Sequence, residues 1–126
     1  MSSIQEKKCD TDDFILPTFI RKDELFKFEL NRIGVQKFIL DRKKYQQSLS
    51  DSLLRLKRRL PSDNNLLQSY ISDWEHLLHG TDDRLKEVIL GSSDYSTDMR
   101  QNSPFSSIIT EDERQKVLKE VYPDVV

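Results

Sequence analysis

The sequence predicts an all-α fold: an elongated helical hairpin or irregular bundle of three to five helices around one long N-terminal helix. Three observations carry this. Apolar residues recur every third or fourth position through residues 21–60 and again through 67–78, which is the period of a helix and not the alternation of a strand. Glycine and proline number only three and four in 126 residues, and they fall mainly where helices would start or stop. Capping residues stand ahead of the periodic segments, the clearest being Thr110-Glu111-Asp112-Glu113.

Residues 1–13 are polar, charged and aperiodic, and read as a disordered tail ahead of a single helical domain, 14–126. Pro17 pushes Leu16 toward extended backbone, and Phe14, Ile15 and Leu16 are expected to tuck the incoming strand against the bundle. Thr18 or Asp23 then caps the long helix. Within it Phe26, Leu30 and Ile33 form one stripe, and Phe38, Tyr45, Leu49, Leu53, Leu56 and Leu60 a second, with Arg42 on the same line. The step from Ile33 to Phe38 rotates the second stripe by roughly 140°. Either the helix breaks near Gly34, where glycine costs about 1 kcal/mol relative to alanine, or it buries two faces. Nine of the sixteen residues from 25 to 40 are apolar and surround the helix on most sides, as suits a central helix with several neighbours.

Pro61 stops this stretch, and Ser62 or Asp63 caps a second helix whose apolar face is Leu67, Tyr70, Ile71, Trp74, Leu77 and Leu78. His79-Gly80 reads as its end and Thr81-Asp82-Asp83 as the start of a short helix toward Leu90 and Gly91, the alternative being one kinked helix, since Leu78, Leu85, Val88 and Ile89 keep the same register across the gap. Residues 92–104 read as a flexible loop from their serine-rich composition. The final helix uses Val117, Leu118, Val121 and Tyr122 and stops at Pro123.

Charge is uneven although the net is only −2: residues 20–60 hold twelve lysines and arginines against five acids, and residues 61–126 hold six against thirteen. Opposite signs let the second half fold back along the first, or leave a basic helix facing an anionic partner. A lone cysteine, Cys9, excludes an internal disulfide, and no secretory signal or run of about 20 apolar residues is present, so a reducing compartment is expected, nucleus or cytoplasm.

No motif carries catalytic chemistry. GxGxxG, GxxxxGKS/T, HExxH and GxSxG are absent, and the acids sit where helix capping explains them. His76 and His79 have metal-compatible spacing but no third ligand nearby in sequence. The expectation is a chain without enzymatic activity, cofactor, metal, membrane segment or small-molecule substrate. The expected function is that of a structural or adaptor subunit of a larger intracellular complex, because the wide apolar girdle needs more cover than the other helices supply. Candidate partner-binding residues are Phe26, Phe28, Leu30, Phe38, Ile39, Val117, Leu118, Val121 and Tyr122. The alternative is a nucleic-acid binder or import-receptor ligand using Arg42, Lys43, Lys44, Arg55, Lys57, Arg58 and Arg59. Ser103-Pro104 and neighbouring serines are candidate phosphorylation sites.

Overall fold

Apolar periodicity becomes six α-helices and one 3-10 turn, with no strand among the residues that the computed structural model describes, 21–60 and 63–123. The helices are α1 (Lys22–Leu40), α2 (Arg42–Arg59), α3 (Asn65–Leu78), α4 (Asp82–Ile89), α5 (Asp94–Gln101) and α6 (Glu111–Val121), and the 3-10 turn is Phe105–Ile108. The all-α prediction holds, in the form of a bundle with six helices rather than three to five. The expected tail, the tucked residues 14–16 and the caps Thr18 and Ser62 lie outside the described residues.

The long helix does break, but seven residues beyond Gly34. Asp41 leaves helical geometry (φ −153°, ψ 74°), and its side chain accepts from the Lys44 amide at 3.2 Å to start α2. Gly34 stays inside α1 for a packing reason: a Cβ there would lie 2.6 Å from both Cβ and Cγ of Phe105. Glycine is kept because another segment touches the helix backbone, at the expense of helix propensity. The girdle on α1 is matched by its neighbours, since α1 packs against α2, α4, α5, α6 and the 3-10 turn.

Phe105 is the centre of the core. Its ring meets Trp74 edge-on at 5.3 Å and Phe38 at 6.3 Å, and all three are buried. Each such aromatic pair adds about 0.5–1.5 kcal/mol beyond the area it buries. Leu49 and Leu53 of α2, Ile71 and Leu78 of α3, and Leu85 and Ile89 of α4 close around them. The indole N–H of Trp74 donates to the Met99 carbonyl at 2.9 Å, tying α3 to α5.

Residues 92–104, expected to be a loop, contain α5. Ser93 caps it by accepting from the Ser96 amide at 3.0 Å, and Ser96, Met99 and Arg100 are buried at helical spacing. The Arg100 guanidinium donates to the Ile89 carbonyl at 2.7 Å and to the Gly91 carbonyl at 2.8 Å, closing the α4–α5 turn, and it stacks on Phe28 at 5.1 Å. Burial lowers its pKa. A polar composition hid this helix because Met99 is the one aliphatic residue it buries, beside Ser96 and the stem of Arg100.

Caps elsewhere follow the sequence with two exceptions. Asn64, not Asp63, caps α3, accepting from the Leu67 amide at 3.2 Å, and α1 begins at Arg21 without a side-chain cap, Asp23 instead pairing with Arg21. Thr81 caps α4 as expected. The capping box of α6 forms in full: Thr110 Oγ1 accepts from the Glu113 amide at 3.1 Å and Glu113 Oε1 from the Thr110 amide at 2.8 Å. Lys37 adds to it, donating to Glu113 at 2.9 Å and to the Ile108 carbonyl at 2.6 Å. Burial alone would push the Glu113 carboxyl up, but the Thr110 amide and Lys37 outweigh it and hold the pKa below the ordinary value. With Arg42–Asp82 at 2.7 Å, Lys37–Glu113 joins the basic first half to the acidic second half.

Candidate interaction surfaces

Four of the nine partner-binding candidates belong to the core. Phe28, Phe38, Val117 and Val121 are buried, so they hold this chain together rather than meet another. The girdle on α1 is consumed from within by α5, α6 and the 3-10 turn, two of which the sequence reading did not foresee. Phe26, Leu118 and Tyr122 are partly covered, and Phe26 meets Tyr122 at 6.5 Å with the Arg114 guanidinium over its ring at 5.4 Å. Leu30 lines a small pocket between α1, α5, the 3-10 turn and α6. Ile39 is the candidate that opens outward.

Ile39 lies in a groove of about 530 Å³ between the last two turns of α1 and α4, lined by Arg32, Val35, Gln36, Ile39, Leu40, Lys86 and Leu90. Positions 32, 35, 36, 39 and 40 recur at three and four, so they share one face of α1, and Val35 joins it to the face that buries Phe28 and Phe38. Leu40 is the last residue before the Asp41 break, and no following turn covers it; it is 85 % exposed, the most exposed large apolar residue described. The groove floor is apolar and its charged lining is entirely cationic. Arg32 pairs with Glu29 at 2.7 Å, whereas Lys86 is exposed and has no ion pair among the described residues. The sequence missed Leu40 and Leu90 because periodicity marks apolar faces without saying which of them a neighbour covers.

The basic candidates divide. Arg42 is a structural clamp: its guanidinium donates to the Leu78 carbonyl at 3.0 Å, the Gly80 carbonyl at 2.9 Å and Asp82 Oδ1 at 2.7 Å, and it stacks on Phe38 at 4.7 Å. It is not available to phosphate. Lys43, Lys44, Arg55, Lys57, Arg58 and Arg59 are exposed and form no ion pair among the described residues. Arg55, Arg58 and Arg59 line a shallow recess of about 350 Å³ at the C-terminal end of α2. Lys43 and Arg55 lie roughly 18 Å apart along the helix, with a neutral or acidic middle between them, so the charge forms two clusters rather than one stripe.

His76 and His79 are exposed, and each Nδ1 faces the carbonyl of its own preceding turn at 2.9 Å. Among the described residues no three histidine, cysteine or acidic side chains are placed to share a metal ion. No described helix is long and apolar enough to cross a membrane. Among the described residues, fold and surface thus give an all-α bundle with an apolar groove and two basic clusters. Comparison with protein families, curated proteins and solved structures finds no match.

Proposed function

We propose that this chain is a non-catalytic structural or adaptor subunit that binds another protein through the α1/α4 groove, the occupant being an amphipathic helix with acidic residues flanking its apolar face. The supporting observation is Leu40, 85 % exposed at the lip of a groove whose floor is Val35, Ile39 and Leu90. Fully burying a leucine contributes about 1.5–3 kcal/mol, so a polar side chain there wastes a favourable contact site and an apolar one favours an occupant. The cations Arg32 and Lys86 at its edge favour acids and disfavour a basic partner. A helix laid in a groove uses anchors at i, i+3, i+4 and i+7, which matches the elongated apolar floor along α1.

The test places a photo-crosslinking residue at the exposed Gln36 in cells that make the protein, and maps the attached peptide. The expected peptide is helical in pattern, with apolar anchors and acidic flanks. Leu40→Asp abolishes the crosslink while leaving thermal stability unchanged, and Lys86→Glu weakens it until an acid-to-lysine change in the partner restores it. A crosslink only to a second copy of this chain, or one indifferent to Leu40→Asp, refutes the reading.

A second reading, nucleic-acid binding by α2, rests on the exposed cluster of Arg55, Lys57, Arg58 and Arg59, which forms no ion pair among the described residues. It requires affinity to fall steeply with salt, with a slope of about 0.9 per phosphate neutralised on duplex DNA. Charge reversal of Lys57, Arg58 and Arg59 that leaves all binding intact eliminates it.

A further inference from the structure

Just past the serine-rich residues 92–104, the serines of the 3-10 turn sit near cations that form no ion pair among the described residues. Ser103, the residue before Pro104, is a poor acceptor for modification here: its Oγ accepts from the Phe105 amide at 3.0 Å, and Pro104 is buried, so the Ser-Pro pair is not presented. Ser106 differs. It is exposed on the 3-10 turn and lines the pocket of about 200 Å³ between α1, the end of α5 and α6. Lys27 of α1, Arg100 of α5 and Arg114 of α6 line the same pocket and no carboxylate does; Arg100 is committed to the Ile89 and Gly91 carbonyls, whereas Lys27 and Arg114 have no ion pair among the described residues. The face of Phe26 holds the Arg114 guanidinium in place at 5.4 Å.

We propose that Ser106 is a phosphorylation site whose phosphate is gripped by Lys27 and Arg114. A protein kinase would transfer the γ-phosphoryl group of ATP to Ser106 Oγ: the new Oγ–P bond forms, the bond from the γ-phosphorus to the bridging β-oxygen breaks, ADP leaves, and the hydroxyl proton passes to the kinase's base and on to water. The product carries a charge of about −1.5 to −2 and three strong acceptor oxygens at neutral pH. Guanidinium forks bind such a group through two parallel hydrogen bonds, and a lysine adds a compact positive charge. A monoester on Ser106 would therefore link α1, the 3-10 turn and α6, next to Phe105, which packs on Gly34 and Phe38. The site lies about 20 Å along α1 from Leu40, so it does not depend on the groove reading.

The experiment incorporates phosphoserine at position 106 of the full chain by genetic encoding, with phosphoserine at the exposed Ser107 as control. Phosphorylation at 106 is expected to raise the melting temperature by about 4–8 °C, and to lower the second phosphate pKa, read by phosphorus NMR, below its usual value of about 6. Both effects should vanish in the Lys27→Met/Arg114→Met background, each variant being compared with its own unphosphorylated parent, and Ser107 should show neither. Phosphopeptide mapping of the protein from its own cells should find Ser106 occupied. Equal effects at 106 and 107, a phosphate at 106 that titrates as if free, or the absence of Ser106 phosphate in cells overturns the proposal. A phosphoserine peptide that binds the unmodified chain at Lys27 and Arg114, with Ser106 unmodified in cells, overturns Ser106 as carrier and assigns the phosphate to another chain.

Discussion

Replacing Gly34 by alanine sets two effects of opposite sign against each other. Helix propensity favours alanine by about 1 kcal/mol in a helix interior. Against that, the new methyl would stand 2.6 Å from Cβ and Cγ of Phe105 and 2.9 Å from Cδ1, when carbon atoms prefer about 3.5–4.0 Å. Turning the phenyl ring gives no relief, because Phe105 Cβ is fixed to its own backbone. The 3-10 turn must withdraw from α1 and carry the ring away from Trp74 and Phe38. Overpacking of this kind costs about 1–3 kcal/mol, and more where backbone has to move, so the net expectation is destabilisation of about 1–2 kcal/mol despite the better helix former. Urea unfolding followed by the fluorescence of Trp74, the single tryptophan, reads both the stability and the Phe105 contact. Gln36→Gly on the exposed side of α1 calibrates the glycine penalty in the same helix and should cost somewhat under 1 kcal/mol. A Gly34→Ala protein as stable as its parent, or more so, would refute the close approach of Phe105 to the α1 backbone.

Arg42→Met removes a charged donor from the Leu78 and Gly80 carbonyls and from Asp82, and should cost about 1.5–3 kcal/mol, seen as a lower urea midpoint with an unchanged slope. Arg42→Lys should not restore it, since a lysine cannot span the three acceptors as a guanidinium fork does. Burial, and then the 2.5 Å hydrogen bond to Asp73, push the Tyr95 hydroxyl up to about 12. Because that exceeds the unfolded value of about 10, the contribution of Tyr95 is complete below pH 10 and is lost as pH rises toward 12. Melting temperatures measured from pH 9 to 11.5 should fall, and Tyr95→Phe should flatten that part of the curve.

Residues whose behaviour is local were legible in the sequence, and those whose behaviour depends on a distant contact were not. Thr110 and Glu113 form a capping box from their spacing alone, and Ile71, Trp74, Leu77 and Leu78 bury the face that their period marks. Sequence leaves open whether the helix breaks near Gly34 or buries two faces, because the cost of glycine is visible there while Phe105, 71 residues on, is not. The same blindness assigned Phe28 and Phe38 to a partner: their apolar character was evident, but the helices that cover them included α5, concealed in a serine-rich stretch. Leu40 shows the converse, since its exposure follows from the turn at Asp41, which periodicity does not locate. Arg42 belonged to the basic cluster by sequence and to the α3–α4 turn by geometry.

The position of Phe105 also bears on the order in which the molecule can be made. Its ring reaches the space beside Phe38 and Trp74 from a segment synthesised 67 and 31 residues after them. While the ribosome is still making the chain, α1 to α4 can form as separate helices, but their shared centre stays open until residue 105 has left the exit channel. Contacts so distant in sequence close slowly, and uncovered apolar faces in the interval are what chaperones bind. The nascent protein therefore passes most of its synthesis without a finished core, and a chain cut short before residue 105 would never acquire one.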